Sequence, residues 1–153
     1  MRTLADFAKD LARADVMFEF ARHEALEKAC QIVEDEAKRV IGTYDYGWKQ
    51  LAPATQRERV RLGFTPNDPL LRSGELRDSI THHVVTGLTG TGAMREDAGY
   101  VGSPSKIALY QELGTARIPP RSFLGGAARA KEGEIHRIGA TAFHAVLTRA
   151  LAP

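Results

Sequence analysis

The chain has 153 residues, of which 43% are hydrophobic and 26% charged, and its formal net charge is +2. This length favours one domain, predicted to span residues 1–153, and the composition lies in the ordinary range of soluble proteins. No apolar run approaches the ~20 residues that cross a bilayer, so no membrane partner is expected. The small net charge is no argument for nucleic acid by itself. Acids among the first ten residues argue against a secretory signal, so we expect synthesis in the cytoplasm.

The first 41 residues predict a long helix, because apolar residues recur there at intervals of three and four. Thr3 and Asp6 resemble a capping box at its start, and Gly42 supplies its stop. Such a helix is roughly 57 Å long, which exceeds the diameter of a compact domain of this size. Either it breaks near residues 12–15, or its first half projects and packs on another subunit. The net charge of −3 over residues 3–41 fits pairing between copies and also fits a solvated helix face. Three acid-first pairs at a spacing of four support the helix: Glu24–Lys28, Glu34–Lys38 and Asp35–Arg39.

Residues 42–120 predict a core that contains a small sheet. Pro53 suits the first turn of a short helix, and Ser73 is predicted to cap a further helical turn. Residues 79–86 alternate and are rich in β-branched side chains, which is typical of a strand. Residues 99–103 predict a second, antiparallel strand, and the glycine-rich connection between the strands is predicted to be flexible.

The end of the chain predicts two more helices. One begins at Pro104, runs through Glu112 and ends at Gly114, and a long C-terminal helix occupies residues 121–153. The predicted fold is therefore α+β, with a long N-terminal helix, a small antiparallel sheet with helices packed on it, and a long C-terminal helix. Cys30 lies in an apolar helical pattern and is predicted to be a reduced, packed thiol.

The sequence contains near-matches to catalytic and metal motifs, and none of them is complete. The stretch SPSK at residues 103–106 lacks the S-D-N and K-T-G elements of the enzymes that use S-x-x-K. His82 and His83 point to opposite faces of a predicted strand, and His136 and His144 stand two helical turns apart, so neither pair converges on a metal. We therefore predict no catalytic, cofactor-binding or metal-binding residue and no cofactor, and we expect an assembly module rather than an enzyme.

Five stretches carry a family resemblance, namely residues 48–51 (WKQL), 71–80 (LRSGELRDSI), 101–103 (VGS), 108–115 (ALYQELGT) and 118–124 (IPPRSFL). In this order they resemble the neck and tail-completion proteins of long-tailed bacteriophages and prophages. The resemblance is to the siphophage tail-component family and the related virion-morphogenesis family of Mu-like phages, and it covers about residues 40 to 130. The signature residues are Gly74, Leu76, Ser79, Ile80, Tyr110, Glu112, Gly114, Thr115, Pro120, Arg121 and Phe123.

The chain departs from the family pattern at three positions. Leu113 replaces the usual Phe before Gly-Thr, Ser122 replaces the Pro before Phe123, and Ala108 stands two residues before Tyr110 where the family tends to have Tyr-Ala. These changes leave the resemblance in place and blur which branch of the family applies.

The stretch around Gly114 predicts a rigid corner between two helices. Gly114 is expected to stop the first helix with a positive φ, and Thr115 to form a hydrogen bond within the turn. Two prolines stiffen the connection, and Arg121 can reach a carboxylate such as Glu112. Phe123 is expected to bury the start of the last helix. The corner then serves either as an internal brace or as part of an interface.

The resemblance implies a structural protein of the virion, assembled in the host cytoplasm and located at the neck or the tail end. It implies a ring of copies, six favoured over twelve, that contacts the tail tube protein and the head-completion or connector proteins. DNA would pass through such a ring without sequence-specific binding. Two alternatives remain: a nucleic-acid-binding module that uses the basic residues from Arg57 to Arg61, and a small enzyme of unrecognised type.

Overall fold

The computed structural model of the chain describes residues 3–88 and 95–150. Its elements in chain order are α1 (Leu4–Val40), α2 (Pro53–Arg61), α3 (Glu75–Asp78), β1 (Thr81–Leu88), β2 (Arg95–Gly102), α4 (Lys106–Leu113) and α5 (Leu124–Ala150). The two strands pair with each other in an antiparallel sheet. The predicted α+β fold, with a long helix near each end of the chain, is confirmed.

Helix α1 is continuous over 37 residues, or about 56 Å, and it does not break at residues 12–15. The predicted capping box is present, because the Thr3 amide donates to Asp6 Oδ2 at 2.9 Å and the Asp6 amide donates to Thr3 Oγ1 at 3.2 Å. At the other end, Gly42 adopts a φ of +93°, and its amide donates to the carbonyl of Pro69 at 2.8 Å. Local signals at both ends therefore define the helix.

The predicted ion pairs along α1 form in two cases out of three. Lys28 Nζ contacts Glu24 Oε1 at 2.6 Å, and Lys38 pairs with Glu34. The predicted pair of Asp35 with Arg39 does not form. Arg39 instead donates to the buried carboxylate of Glu36, from Nη2 to Oε1 at 2.7 Å, and to Asp45 beyond the end of the helix. Asp35 is exposed and accepts from Gln31 Nε2.

The described chain divides into two compact units. The first unit contains residues 3–30, 83–88, 95–100 and 132–150, and the second contains Gln31–His82 and Val101–Lys131. The assignment of one domain to residues 1–153 stays a prediction.

The first unit packs the beginning of α1 with the hairpin and the end of α5. The rings of Phe18 and Phe143 lie 5.4 Å apart, and Arg22 Nε donates to Asp97 Oδ2 at 2.6 Å. Cys30 is a free, buried thiol, which confirms the predicted packing, and burial raises its pKa. A Cβ on Gly99 would overlap the Cys30 sulfur, so a larger residue at this strand position would force the thiol to move.

The second unit contains most of the buried apolar side chains. Phe123, Ile80 and Val40 are the largest apolar side chains that are completely buried, and they come from three distant parts of the sequence. The buried apolar residues of this unit are Val33, Ala37, Val40, Ile41, Leu51, Ile80, Ala108, Phe123 and Ala127. This core fixes the end of α1 against the start of α5.

Three predicted helix starts were wrong by one to three residues. Ser73 does not cap α3, because Gly74 precedes that helix with a φ of +93° and no side-chain cap bond. Helix α4 begins at Lys106 rather than Pro104, since Ser105 Oγ accepts from the amide of Ile107 at 3.2 Å. Helix α5 begins at Leu124 rather than at residue 121, because Glu112 accepts from the amides of Phe123 and Leu124.

The predicted flexible connection between the strands is shorter than expected. Strand β1 extends to Leu88 and β2 begins at Arg95, so Gly87 and Gly99 belong to strands. The remaining part of that prediction concerns residues 89–94, which lie outside the described residues. Within the described ranges, none of the helices has the length and apolar character needed to cross a membrane.

Candidate functional site

The start of α5 is capped by a carboxylate from α4. Glu112 Oε2 accepts from the amides of Phe123 at 2.8 Å and Leu124 at 2.9 Å, and Oε1 accepts from the amide of Gly125 at 2.9 Å and from the Ser122 hydroxyl. The first amides of a helix have no partner within the helix, and negative charge there is favoured by the helix dipole. Glu112 therefore decides where α5 begins and ties that start to α4.

The turn between these helices depends on one glycine. Gly114 has a φ of +76°, and a Cβ at this position would lie 2.9 Å from the Pro120 nitrogen and 3.0 Å from the Ile118 oxygen. The Thr115 amide donates to that Ile118 oxygen at 2.8 Å, and Thr115 Oγ1 accepts from the Ile118 amide at 3.1 Å. The expected positive φ and the expected hydrogen bond within the turn are both present.

Arg121 does not pair with Glu112, so the predicted ion pair within the corner is wrong. The carboxylate of Glu112 is already taken by the amides of α5. Arg121 is buried, its amide donates to the Gln111 carbonyl at 2.7 Å, and its Nη2 donates to the Lys49 carbonyl at 3.1 Å. Within the described part of the chain, Arg121 Nε has no hydrogen-bond partner.

The signature residues at 74–80 are joined to a second signature stretch by a pair of hydroxyls. Ser79 Oγ lies 2.7 Å from Ser103 Oγ and also donates to the Leu76 carbonyl at 2.7 Å. Ile80, which follows Ser79 in the sequence, is completely buried. Gly74 is also buried, and its left-handed backbone conformation precedes α3. These residues brace the second unit.

Tyr110 differs from the rest of the signature because its ring faces outward. Helix α4 buries Ala108, and besides Ile107, which lies on the groove side, it exposes Leu109 at 55%, Tyr110 at 48% and Leu113 at 70%. At 3.6 residues per turn these three lie within about 100° of one another, and we call them the α4 outer face. Pro120 is also exposed. The signature residue Thr115 is exposed as well, so the structure separates Tyr110, Thr115 and Pro120 from the buried signature residues.

A groove of about 890 Å³ lies beside this corner in the second unit. Apolar side chains line it from the end of α2, from α4 and from the turn, namely Leu62 directly after α2, Ile107 and Ile118. Two acids, Glu58 and Glu75, also line it. Its five basic residues are Lys49, Arg59, Arg72, Arg117 and Arg121. The lining has a formal net charge of +3, and we call this feature the basic groove.

A scan against protein-family models, a search of curated proteins and a search of solved structures found no match to this chain.

The basic residues of α2 do not act as one set. Arg57 and Arg61 are exposed, whereas Arg59 Nη1 donates to the carbonyls of Asp68 at 2.6 Å and Leu71 at 2.9 Å. Burial lowers the pKa of Arg59, and the nearby charge of Arg72 lowers it further. Arg59 therefore holds the loop after α2 as well as lining the groove.

Sequence reasoning missed a polar cluster at the end of α1. Glu36 is buried and accepts from Arg39 and from the Tyr46 hydroxyl at 2.9 Å, and its pKa is lowered to about 2, first by the Arg39 hydrogen bond. A Cβ on Gly126 would meet the Tyr46 ring at 2.5 Å. The Gly125-Gly126 pair near the start of an expected helix was the available signal. Among residues 3–88 and 95–150 there is no group of three or more acidic, histidine or cysteine side chains that could hold a metal.

Proposed function

We propose that this chain is a structural protein of the phage or prophage neck, where it completes the tail and joins it to the head as part of a ring. The observation that carries the proposal is the α4 outer face. Leu109, Tyr110 and Leu113 lie on a helix that is fixed from behind by Ala108 and Glu112, and each remains between 48% and 70% exposed. An exposed apolar patch on a rigid support is typical of a protein–protein interface.

The polar side chains of the signature support an assembly role. Glu112 uses both carboxylate oxygens on backbone amides, and Ser79 uses its hydroxyl on a carbonyl and on Ser103. These groups hold backbone segments in place. The signature residues thus fix the backbone of this region, and the fixed backbone exposes the α4 outer face together with Pro120.

The resemblance indicates where in the virion that interface would lie. Neck and tail-completion proteins form rings at the junction of tail and head, and a six-fold tail favours a ring of six copies over twelve. In this proposal the ring contacts the tail tube protein on one side and head-completion or connector proteins on the other, and DNA passes through it.

A tail-to-head joining assay tests the proposal. Tails assembled without this protein are mixed with purified protein and filled heads, and joined particles are counted. Leu113→Ser and Tyr110→Ser should remain folded and reduce joining at least tenfold, because each removes apolar contact area without touching the core. Val60→Ser is the matched control, since Val60 is 59% exposed on a helix of the same unit and lies outside the α4 outer face.

Two results would count against the proposal. Wild-type protein that neither binds tails nor restores joining contradicts the neck assignment. Tight binding to duplex DNA that weakens steeply with salt would instead favour the nucleic-acid alternative, because neutralising phosphates releases counterions.

A further inference from the structure

We propose that the basic groove is the docking site for the first half of α1 from a second copy of this chain. The occupant is the acidic, amphipathic helix segment of residues 4–20. This inference rests on the proposed ring and names the contact that would build it.

The lining of the groove has more basic than acidic side chains, five against two. Arg121 is buried and has no ion pair with an acid among the described residues, and its Nε lacks a hydrogen-bond partner there. The positive charges of Arg72 and Arg121 lie near Arg59, which has one acid, Asp68, close to it. A buried charge without a compensating partner is unfavourable, so an acidic occupant would stabilise this wall of the groove.

The first half of α1 has the complementary charge. Residues 4–20 contain four acids and two bases, a net charge of −2. They also present apolar side chains to solvent, with Leu4 86% and Leu11 61% exposed. At 3.6 residues per turn, Leu4, Ala8, Leu11 and Asp15 lie within about 60° of one another, and all four are exposed. This stripe places an acid in line with apolar residues.

The groove offers both kinds of contact that this stripe needs. Leu62 and Ile107 are 45% and 57% exposed on its lining and can receive Leu4 and Leu11, while Arg117 and Lys49 can receive the acids. A helix about 10 Å wide that rises 5.4 Å per turn fills roughly 400 Å³ per turn, so the groove takes about two turns. Helix-in-groove docking uses apolar anchors at this spacing.

Such a contact joins two different surfaces, the α1 segment of one copy and the groove of the next. A contact of this type is heterologous, and repeating it generates a closed ring when the rotation between copies closes. The proposed neck ring needs a contact of this kind, and the charge pattern gives it a direction.

Cross-linking between two single-site variants tests the contact between copies. One chain carries Leu11→Cys and the other Arg117→Cys, and both keep the buried Cys30. A short bismaleimide should give a covalent dimer in the mixture, with a yield at least tenfold above that of either chain alone at an early time point. Wild-type chain, which has only Cys30, is the control for background reaction.

Point variants test the energetics in the same full-length protein. Leu11→Ser and Arg117→Glu should each weaken self-association at least tenfold by sedimentation velocity while leaving the thermal unfolding midpoint within about 2 °C. Arg57→Glu is the matched charge control, because Arg57 is exposed on α2 and does not line the groove. It should leave association unchanged.

The outcomes separate this inference from the proposed function. The docking site is overturned if Leu11→Ser and Arg117→Glu form oligomers normally, or if the mixture gives no covalent dimer. If the same variants still join tails to heads, the proposed neck role stands. Loss of duplex DNA binding in Arg117→Glu with unchanged self-association would assign the groove to nucleic acid and also overturn the inference. A wild-type protein that is monomeric at every concentration contradicts both the contact and the ring.

Discussion

The two halves of α1 differ in how their own chain uses them. Residues 31–40 bury Val33, Ala37 and Val40 together with the carboxylates of Glu34 and Glu36. Residues 4–20 bury only Ala14 among the side chains described there, and leave Leu4, Leu11, Val16 and Phe20 exposed. Both halves are equally helical because caps, periodicity and i,i+4 pairs act locally. Whether a segment forms a helix and whether its own chain buries that helix are therefore separate properties.

The same contrast holds within α4. Ala108 and Glu112 serve the interior of the second unit, while Leu109, Tyr110 and Leu113 face outward. Exposed apolar groups on well-formed helices are the surfaces that we assign to partners. Substitutions on the two kinds of surface should therefore affect different properties.

The largest difference should separate two phenylalanines. Phe123 is completely buried, so Phe123→Ala should lower the free energy of unfolding by about 3–5 kcal/mol. Phe20 is 75% exposed, so Phe20→Ala should change it by less than about 0.5 kcal/mol. Denaturant melts of the two variants measure both values. Equal losses would show that the first half of α1 is as integral to folding as the core.

The second difference should separate two glutamates. Glu112→Gln removes the charge and one acceptor oxygen from the start of α5, and should cost about 2–3 kcal/mol of folding stability. Glu24→Gln removes an exposed i,i+4 partner of Lys28 and should leave the unfolding transition almost unchanged. Denaturant melts of both variants measure these changes. A cost below 0.5 kcal/mol for Glu112→Gln would mean that the cap does not hold α5.

The third difference is between two glycine-to-alanine substitutions, which should change the free energy of unfolding in opposite directions. Gly114→Ala should destabilise the protein by about 1 kcal/mol or more, because φ is +76° and the new Cβ meets the Pro120 nitrogen. Gly133→Ala should stabilise it by about 0.5–1 kcal/mol, since Gly133 lies inside α5 with open space around it. Thermal melts give both signs, and a stabilising Gly114→Ala would refute the rigid turn.

The smallest effect appears as a pH dependence. The pKa of Glu36 is about 2 in the folded protein, below the ordinary 4.5, so its contribution to stability is present above pH 4.5 and is lost as the pH falls towards 2. Glu36→Gln should flatten the stability profile between these pH values, and Tyr46→Phe should lower stability by about 1 kcal/mol throughout neutral pH. Profiles of wild type and Glu36→Gln that run parallel would contradict this assignment.

The sequence was sufficient for the elements that local chemistry determines. Thr3, Asp6 and Gly42 marked the ends of α1, and Gly114 marked the end of α4, because caps and positive φ leave signals within a few residues. The alternation of residues 79–86 indicated β1. The start of α5 was placed too early because its cap comes from Glu112, eleven residues before Phe123, and no local pattern records that contact.

The candidate site was less predictable, since its parts come together only through the fold. Arg121 and Glu112 have opposite charges and lie close in sequence, and that proximity suggested an ion pair that burial and competing amides prevent. Lys49, Arg72 and Arg117 meet in the basic groove from three separate segments. The outward face of α4 was also hidden, because an apolar residue on a helix is more often core than surface.

Electron microscopy of the purified full-length protein, alone and then mixed with tails that lack it, tests the proposed neck ring. We expect closed rings of uniform size in the protein alone and one ring at the head-proximal end of each tail in the mixture. Single particles of about 16.8 kDa that never close into rings and leave the tail ends bare would contradict it.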